Sequence, residues 1–109
     1  MNETITTTQT IPVRIHTVKL IGVLASAAGR RELHISMPLN STVSQVITKI
    51  LQEVGNMQFK DFLVDSATQD PRPNVIILLD EQDCNIFNGL KTRLEMDTKI
   101  TIIPVAHGG

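Results

Sequence analysis

The residues with the clearest chemical potential are His107, Gly108 and Gly109, which follow a predicted strand over residues 99–105. Glycine has no Cβ and adopts backbone angles that other residues avoid. A Gly-Gly carboxylate can therefore enter a channel too narrow for side chains. At about 3.3 Å per extended residue, residues 106–109 (the C-terminal tail) span roughly 13 Å. We expect the Gly109 carboxylate to react in another protein's active site, with His107 helping to position the tail; the alternative is a flexible end without a role.

Other side chains with chemical potential fit structural roles better. The spacing from Gly22 to Gly29 lacks the Gly-Lys-Ser/Thr end of a phosphate loop, so a hairpin turn is predicted there. Cys84 is a lone cysteine and is predicted to be a small core hydrophobe rather than a nucleophile.

The histidines and the acidic residues near position 80 do not form a predicted metal site. The histidines fall in two separate strands and in the tail, and surface positions are predicted for all of them: His16, His34 and His107. A solvated turn is predicted for the acidic group, Asp80, Glu81 and Asp83. We therefore predict no bound metal and no cofactor.

Composition excludes several classes of protein. The chain has 109 residues and a net charge of −1, which fits one small domain. It has no basic run that would indicate nucleic-acid binding, and no apolar segment of the roughly 20 residues that cross a membrane. Residues 1–9 lack the apolar stretch of a secretory signal, and one cysteine excludes an internal disulfide. A cytoplasmic protein is expected.

Hydrophobic periodicity predicts the elements that position the tail. We expect a disordered extension over residues 1–14, a folded domain over 15–105 and a flexible tail over 106–109. Alternation predicts the early strands, and Thr42 with Gln45 forms a capping box that starts the main helix. The segment Met57 to Val64 is predicted to be a short turn that buries Phe59, Phe62 and Leu63. The predicted elements are strands at 16–22 and 30–37, a helix at 43–54, a loop at 66–73, and strands at 75–79, 84–87 and 99–105.

This order, β-β-α-β-β-β, predicts an α+β fold. One main helix must bury its apolar stripe against one face of a mixed sheet of four to five strands. Connections without helices imply hairpins, and the single crossover implies one parallel pair. This is the ubiquitin-like β-grasp plan.

Strand alternation also predicts an exposed apolar surface. If the helix is faced by Val18 and Leu20 in the first strand and by Ile100 and Ile102 in the last, then Ile21, Ile103 and Val105 face away from it. Contiguous exposed apolar surface often marks a partner site. We predict a partner-binding surface at these three residues. The alternatives are a phase shifted by one residue, or cover from the segment after the main helix.

Four stretches of the chain together carry a family resemblance. They are Val18-Lys19-Leu20-Ile21-Gly22 with Ala27-Ala28-Gly29-Arg30-Arg31, Asn40-Ser41-Thr42-Val43, Leu90-Lys91-Thr92-Arg93-Leu94-Glu95-Met96-Asp97, and Ile102-Ile103-Pro104-Val105-Ala106-His107-Gly108-Gly109. These stretches resemble the ubiquitin-like sulfur carriers and modifiers of the MoaD and ThiS type, which include the ubiquitin-related modifier and the archaeal small modifier proteins. Two departures stand out: Asp80-Glu81 replaces a common Asn-Gly turn, and Glu95-Met96-Asp97 lacks the usual glycine. The N-terminal extension is also atypical.

The resemblance implies a carrier that is acted on by enzymes and is not itself an enzyme. A partner activating enzyme would use ATP to adenylate Gly109, and a persulfide donor or sulfurtransferase would convert the adenylate to a thiocarboxylate. The sulfur would pass to a tRNA uridine or a molybdopterin precursor, or the acyl group would join a target-protein lysine. Two alternatives stay open: a dedicated small subunit bound to a molybdopterin synthase large subunit, and a plain β-grasp binding module with an incidental tail.

Overall fold

The computed structural model describes residues 11–105. Within this range the chain forms five strands, three helices and two 3₁₀ turns. The elements are β1 (Val13–Leu20), α1 (Val23–Ala28), β2 (Glu32–Pro38), α2 (Val43–Val54), α3 (Met57–Leu63), β3 (Val75–Leu79), β4 (Gln82–Asp83), the 3₁₀ turns Cys84–Ile86 and Gly89–Lys91, and β5 (Lys99–Pro104).

The five strands form one mixed sheet in the order β2-β1-β5-β3-β4. β1 runs parallel to β5, and the other neighbouring strands are antiparallel. Ile102 of β5 is opposite Leu20 of β1 on one side and Ile77 of β3 on the other. The predicted α+β fold with its single parallel pair is confirmed, and the architecture is the ubiquitin-like β-grasp.

Helix α2 forms where the capping box predicts it. The Thr42 hydroxyl accepts a hydrogen bond from the Gln45 N–H at 3.2 Å, and the Gln45 side chain accepts one from the Thr42 N–H at 2.8 Å. Gly55, with φ of 66°, ends the helix in the left-handed conformation. The helix buries Val43, Val46, Ile47 and Ile50 in the same core as the inner face of the sheet. Each such buried side chain contributes about 1.5–3 kcal/mol.

The connection between β1 and β2 differs from the predicted hairpin turn. Residues 23–28 form the short helix α1, which ends at Gly29 and buries Leu24. The Asn56 side-chain amide donates to the carbonyl of Ala27 at 2.8 Å and ties α1 to the start of α3. Because this stretch is made mostly of small residues, it carries no periodic signal of a helix. β1 begins at Val13, two residues before the predicted domain start.

The segment after α2 is a helix rather than a short turn. Asn56 caps α3, since its side-chain oxygen accepts from the Phe59 N–H at 2.7 Å. Phe59 and Leu63 are buried as predicted, but Phe62 is 37% exposed, so its predicted burial is wrong. At about 100° per residue, Phe59 and Leu63 lie close together on the helix and Phe62 lies about 60° to one side of Phe59.

The predicted strand over residues 84–87 is also wrong. Residues 84–86 form a 3₁₀ turn, in which the Asp83 carboxylate accepts from the Asn85 N–H at 2.8 Å. This local hydrogen bond competes with strand pairing. β4 is therefore limited to two residues, with Gln82 opposite Leu79 of β3.

Candidate functional site

The end of β5 fixes the point from which the C-terminal tail departs. The Val105 N–H donates to the carbonyl of Asn74 at 2.9 Å. The Asn74 side-chain amide donates in turn to the carbonyls of Asp61 and Phe62, both at 3.3 Å. Val105 is thereby tied to the end of α3. The predicted tail residues His107, Gly108 and Gly109 lie outside the described residues.

The structure brings two of the predicted surface residues together and adds a third. Ile76 of β3 is opposite Ile103 of β5. The Ile21 N–H donates to the Ile102 carbonyl at 3.2 Å, so Ile21 lies on the other side of β5. Ile21, Ile103 and Ile76 form a row across the sheet face opposite the helices, which we call the open-face row. Ile21 and Ile76 are 42% and 41% exposed, and Ile103 is partly buried.

Ile76 was missed by the sequence analysis for a specific reason. Every residue of β3 is apolar, so its sequence shows no alternation and hides which side chains face outward. Val75, Ile77 and Leu79 face the core. The predicted fold offered a partial signal: with helices on one face of the sheet, every second residue of a strand faces the other side, but the uniform sequence of β3 does not indicate which residues these are.

The remainder of the open face carries charged pairs and, on β1, the exposed apolar residues Val13 and Ile15. His34 lies 3.1 Å from Glu32 on β2, and Lys99 forms an ion pair with Glu81. The hydrogen bond with Glu81 raises the pKa of Lys99, and the same contact lowers the pKa of Glu81. This face therefore has two exposed apolar areas: Val13 and Ile15 at the start of β1, and the open-face row at the end of the sheet where the tail departs.

Cys84 does not have the surroundings of a reactive thiol. It is 2% exposed within the hydrophobic core, as predicted. Burial raises the pKa of the thiol, and the neighbouring Asp83 carboxylate raises it further. Because the thiolate is the nucleophile, sulfur chemistry at this position is disfavoured.

His16 is not at the surface, contrary to the prediction. It is fully buried, and its Nδ1 accepts a hydrogen bond from the Thr98 N–H at 3.1 Å. Burial is the main cause that lowers its pKa. His34 is exposed, and His107 is outside the described residues. Within residues 11–105, no three or more His, Cys, Asp and Glu side chains are grouped to hold a metal ion.

The acidic residues near position 80 serve the turn between β3 and β4. Asp80 and Glu81 are exposed, and the Asp80 carboxylate accepts from the Lys99 N–H at 2.9 Å. Both residues thus contact Lys99 of the neighbouring strand β5.

No helix in the described part of the chain is long and apolar enough to cross a membrane.

Comparison with known proteins gives a family match and several structural relatives. Residues 14–109 match the family model of Urm1, the ubiquitin related modifier. No curated protein matches the chain significantly in sequence.

Three solved structures share the fold at low sequence identity. The small archaeal modifier protein 1 (SAMP1) of Methanosarcina acetivorans is 23% identical, with a TM-score of 0.74 over 90% of this chain and 99% of its own. Urm1 of Trypanosoma brucei is 21% identical, with a TM-score of 0.70 over 89% and 97%. A chain of the Amycolatopsis orientalis BexX/CysO complex is 19% identical, with a TM-score of 0.63 over 85% and 98%.

Proposed function

The chain belongs to the Urm1 (ubiquitin related modifier) family, and on that premise we propose that it is a protein modifier and sulfur carrier that reacts through the Gly109 carboxylate. The observation that carries the proposal is the extent of the family match, which runs from residue 14 to residue 109. The match therefore includes His107, Gly108 and Gly109.

The first step of the proposed reaction is activation by a partner enzyme that binds ATP. The Gly109 carboxylate attacks the α-phosphorus of ATP, and pyrophosphate leaves. The product is an acyl-adenylate, a mixed anhydride with AMP as a good leaving group. The role of this chain is to present the carboxylate. The hydrogen bond from the Val105 N–H to the Asn74 carbonyl supports this role, because it fixes the residue that precedes the tail.

The second step replaces AMP with sulfur or with an amine. The terminal sulfur of a donor persulfide attacks the acyl carbon and AMP leaves; a thiol then cleaves the S–S bond and releases the thiocarboxylate. Alternatively, a lysine amine of a target protein attacks the acyl carbon, loses a proton and forms an isopeptide bond. We propose that Cys84 takes no part, since its thiol is buried and its pKa is raised.

Partner recognition is proposed for the open-face row, Ile21, Ile103 and Ile76. The row lies at the sheet end from which the tail departs, and its exposed side chains are apolar. An enzyme that engages the tail can cover this row at the same time. ATP, in this proposal, is bound by the activating enzyme and not by this chain.

The experiment uses an N-terminally tagged full chain, expressed in its native host and recovered under denaturing conditions. Intact mass spectrometry and gel mobility would report covalent adducts and the replacement of one terminal oxygen by sulfur. We expect a ladder of larger species together with the thiocarboxylate. Both should disappear when Gly108 and Gly109 are deleted, because the chain then ends in the carboxylate of His107, which is two residues short and carries a bulky side chain.

Cys84→Ala is the matched control, since it removes the single thiol of the chain at a buried position and should leave adducts and thiocarboxylate intact. A thiocarboxylate without adducts would favour the dedicated carrier, such as a molybdopterin synthase small subunit. An unmodified carboxylate without adducts would contradict the proposal and favour a plain binding module.

A further inference from the structure

A second apolar surface lies beside the start of the tail, separate from the open-face row. A cavity of about 470 Å³ opens between the start of α1, the end of α3 and the end of β5. Its apolar walls are Val23, Phe62, Pro104 and Val105, and its polar rim includes Asp61 and Asn74. We call this cavity the tail-root groove.

The walls of the tail-root groove are exposed although they are apolar. Val23 is 46% exposed, Phe62 is 37% exposed and Val105 is 38% exposed. Phe62 is an aromatic side chain on a helix whose other apolar positions, Phe59 and Leu63, are buried in the core. Aromatic residues that stay exposed around a concave site are typical anchors for a partner.

The groove is held in shape by contacts of the backbone. Asn74 joins the last carbonyls of α3 to the N–H of Val105. The Ile21 N–H, just before α1, donates to the carbonyl of Ile102 in β5. These hydrogen bonds tie the start of α1 and the end of α3 to β5, so a partner meets a preformed surface at little ordering cost.

The groove also carries a charge that selects its partner. Asp61 is exposed and is the charged residue among the described residues that line the cavity. The carbonyls of Asp61 and Phe62, at the end of α3, point to Asn74 in the same wall. A lysine or arginine of a partner would therefore be attracted to this rim.

We propose that the tail-root groove is a docking site for the activating enzyme, which inserts an apolar side chain between Val23 and Phe62 and sets a lysine or arginine against Asp61. This proposal rests on the proposed function, in which Gly109 is the reacting residue. Four residues separate Val105 from that carboxylate, a reach of roughly 13 Å in extended form. An enzyme that holds the carboxylate must therefore cover the surroundings of Val105, which include the groove.

The position of β5 supports contact on both sides. Ile103 belongs to the open-face row, and its neighbour Pro104 belongs to the groove. The end of β5 thus lies between the two surfaces, and an enzyme enclosing it contacts both. Three further exposed apolar residues, Ile86, Phe87 and Met96, precede β5 and lie toward its opposite end, and they provide a control surface.

The test measures ATP–pyrophosphate exchange by the host enzyme that adenylates the full-length chain, with KM for the chain and kcat determined separately. Phe62→Ser should raise KM about tenfold, the loss expected for one anchor residue, and leave kcat within about twofold. Phe87→Ser is the matched control, because it removes an exposed phenylalanine from the opposite end. Its KM should stay within about twofold of the wild-type value.

Asp61→Lys tests the charge at a fully accessible position. KM should rise at low salt, and the difference from the wild-type chain should shrink as salt screens the contact. If circular dichroism shows that Phe62→Ser is unfolded, Val23→Ser and Asp61→Lys provide the test. Val23 is more exposed than Phe62, and Asp61 is an exposed polar residue outside the core.

The outcomes separate the two proposals. If the wild-type chain is adenylated but the groove variants keep its KM within about twofold, the groove proposal is overturned and the proposed function stands. If Phe87→Ser raises KM as much as Phe62→Ser, the effect is not specific to the groove and the proposal is also overturned. If the wild-type chain forms no adenylate, the proposed function fails and the groove proposal fails with it.

Discussion

The imidazole of His16 is fully buried in the fold. Its Nδ1 accepts a hydrogen bond from the Thr98 N–H, which puts the ring proton on Nε2. Nε2 is buried and has no hydrogen-bond partner within the described residues. Burial and the Arg14 charge lower the pKa, and together they outweigh the Asp97 and Asp80 carboxylates, which raise it. The neutral ring is therefore the form that the fold accommodates.

This lowered pKa predicts a stability loss in mild acid. The unfolded chain binds a proton on His16 with a pKa of about 6.5, whereas the folded chain binds it at lower pH. The contribution of His16 to the free energy of unfolding should therefore be fully present above about pH 6.5. It should decrease as the pH drops toward the folded-state pKa. Urea unfolding at pH values from about 7.5 to about 5 measures this decrease. Ordinary carboxylates titrate below this range and therefore contribute little to it.

Two variants isolate the contribution of His16. His34→Gln is the matched control, because it removes an exposed histidine and leaves the buried one in place. His16→Gln should be less stable at neutral pH but should lose most of the dependence. An unchanged pH dependence in His16→Gln would assign the effect to another group.

At the scale of elements, the turn between β3 and β4 carries backbone strain. Asp80 and Glu81 have φ of 47° and 76°, in the region that glycine and asparagine favour. A two-residue hairpin with both φ values positive matches the type I′ turn, for which Asn-Gly is preferred. The turn is held by β5, because Asp80 exchanges hydrogen bonds with the backbone of Lys99 and Glu81 pairs with its side chain.

Glu81→Gly is therefore expected to stabilise the protein although it removes an ion pair. Relief of strain at a positive φ outweighs an exposed ion pair, which contributes little. We expect Tm to rise by about 3 °C. Glu81→Gln is the control, because it removes the charge and keeps the strained Cβ. A glycine variant that melts below the glutamine variant would show that the strain is not costly.

Elements with local signals were predicted well from the sequence. The capping box of Thr42 and Gln45 depends on four consecutive residues, so the start of α2 was predicted to the residue. Helix α1 depends on distant contacts, including the Asn56 hydrogen bond to Ala27, and was predicted as a turn. The 3₁₀ turn after β4 was predicted as a strand, because its apolar residues hid the capping by Asp83.

The candidate site was predictable in part for the same reason. Alternation in β1 and β5 identified Ile21 and Ile103 as outward-facing residues. Ile76 lies in a uniformly apolar strand, and Phe62 lies at the margin of a seven-residue helix. In both cases the sequence does not fix the facing direction, and the tertiary packing decides it.

At the scale of the whole molecule, the described residues share one hydrophobic core. The cluster includes residues of all three helices and of every strand except the two-residue β4, and it extends to Cys84 and Leu94 in the connections. A single core joined in this way is typical of a domain that unfolds in one cooperative transition.

Cys84 offers a direct test of this cooperativity. The sequence contains no Trp or Tyr, so the usual optical probes of side-chain packing are missing. We expect the urea midpoint for labelling of the Cys84 thiol to coincide with the midpoint of the helix signal in circular dichroism. Labelling at a lower urea concentration than the helix signal would contradict one transition and indicate local opening around the 3₁₀ turns.

The central place of β5 has a consequence for the making of the protein. The ribosome synthesises β5 after every other strand, yet it lies between β1 and β3. Until it emerges, the nascent chain holds two unjoined pieces, β2-β1 and β3-β4. A copy broken off before β5 lacks both the strand that closes the sheet and the residues that follow it. The fold therefore couples completion of the sheet to completion of translation: a chain whose sheet is closed by β5 has been synthesised almost to its last residues.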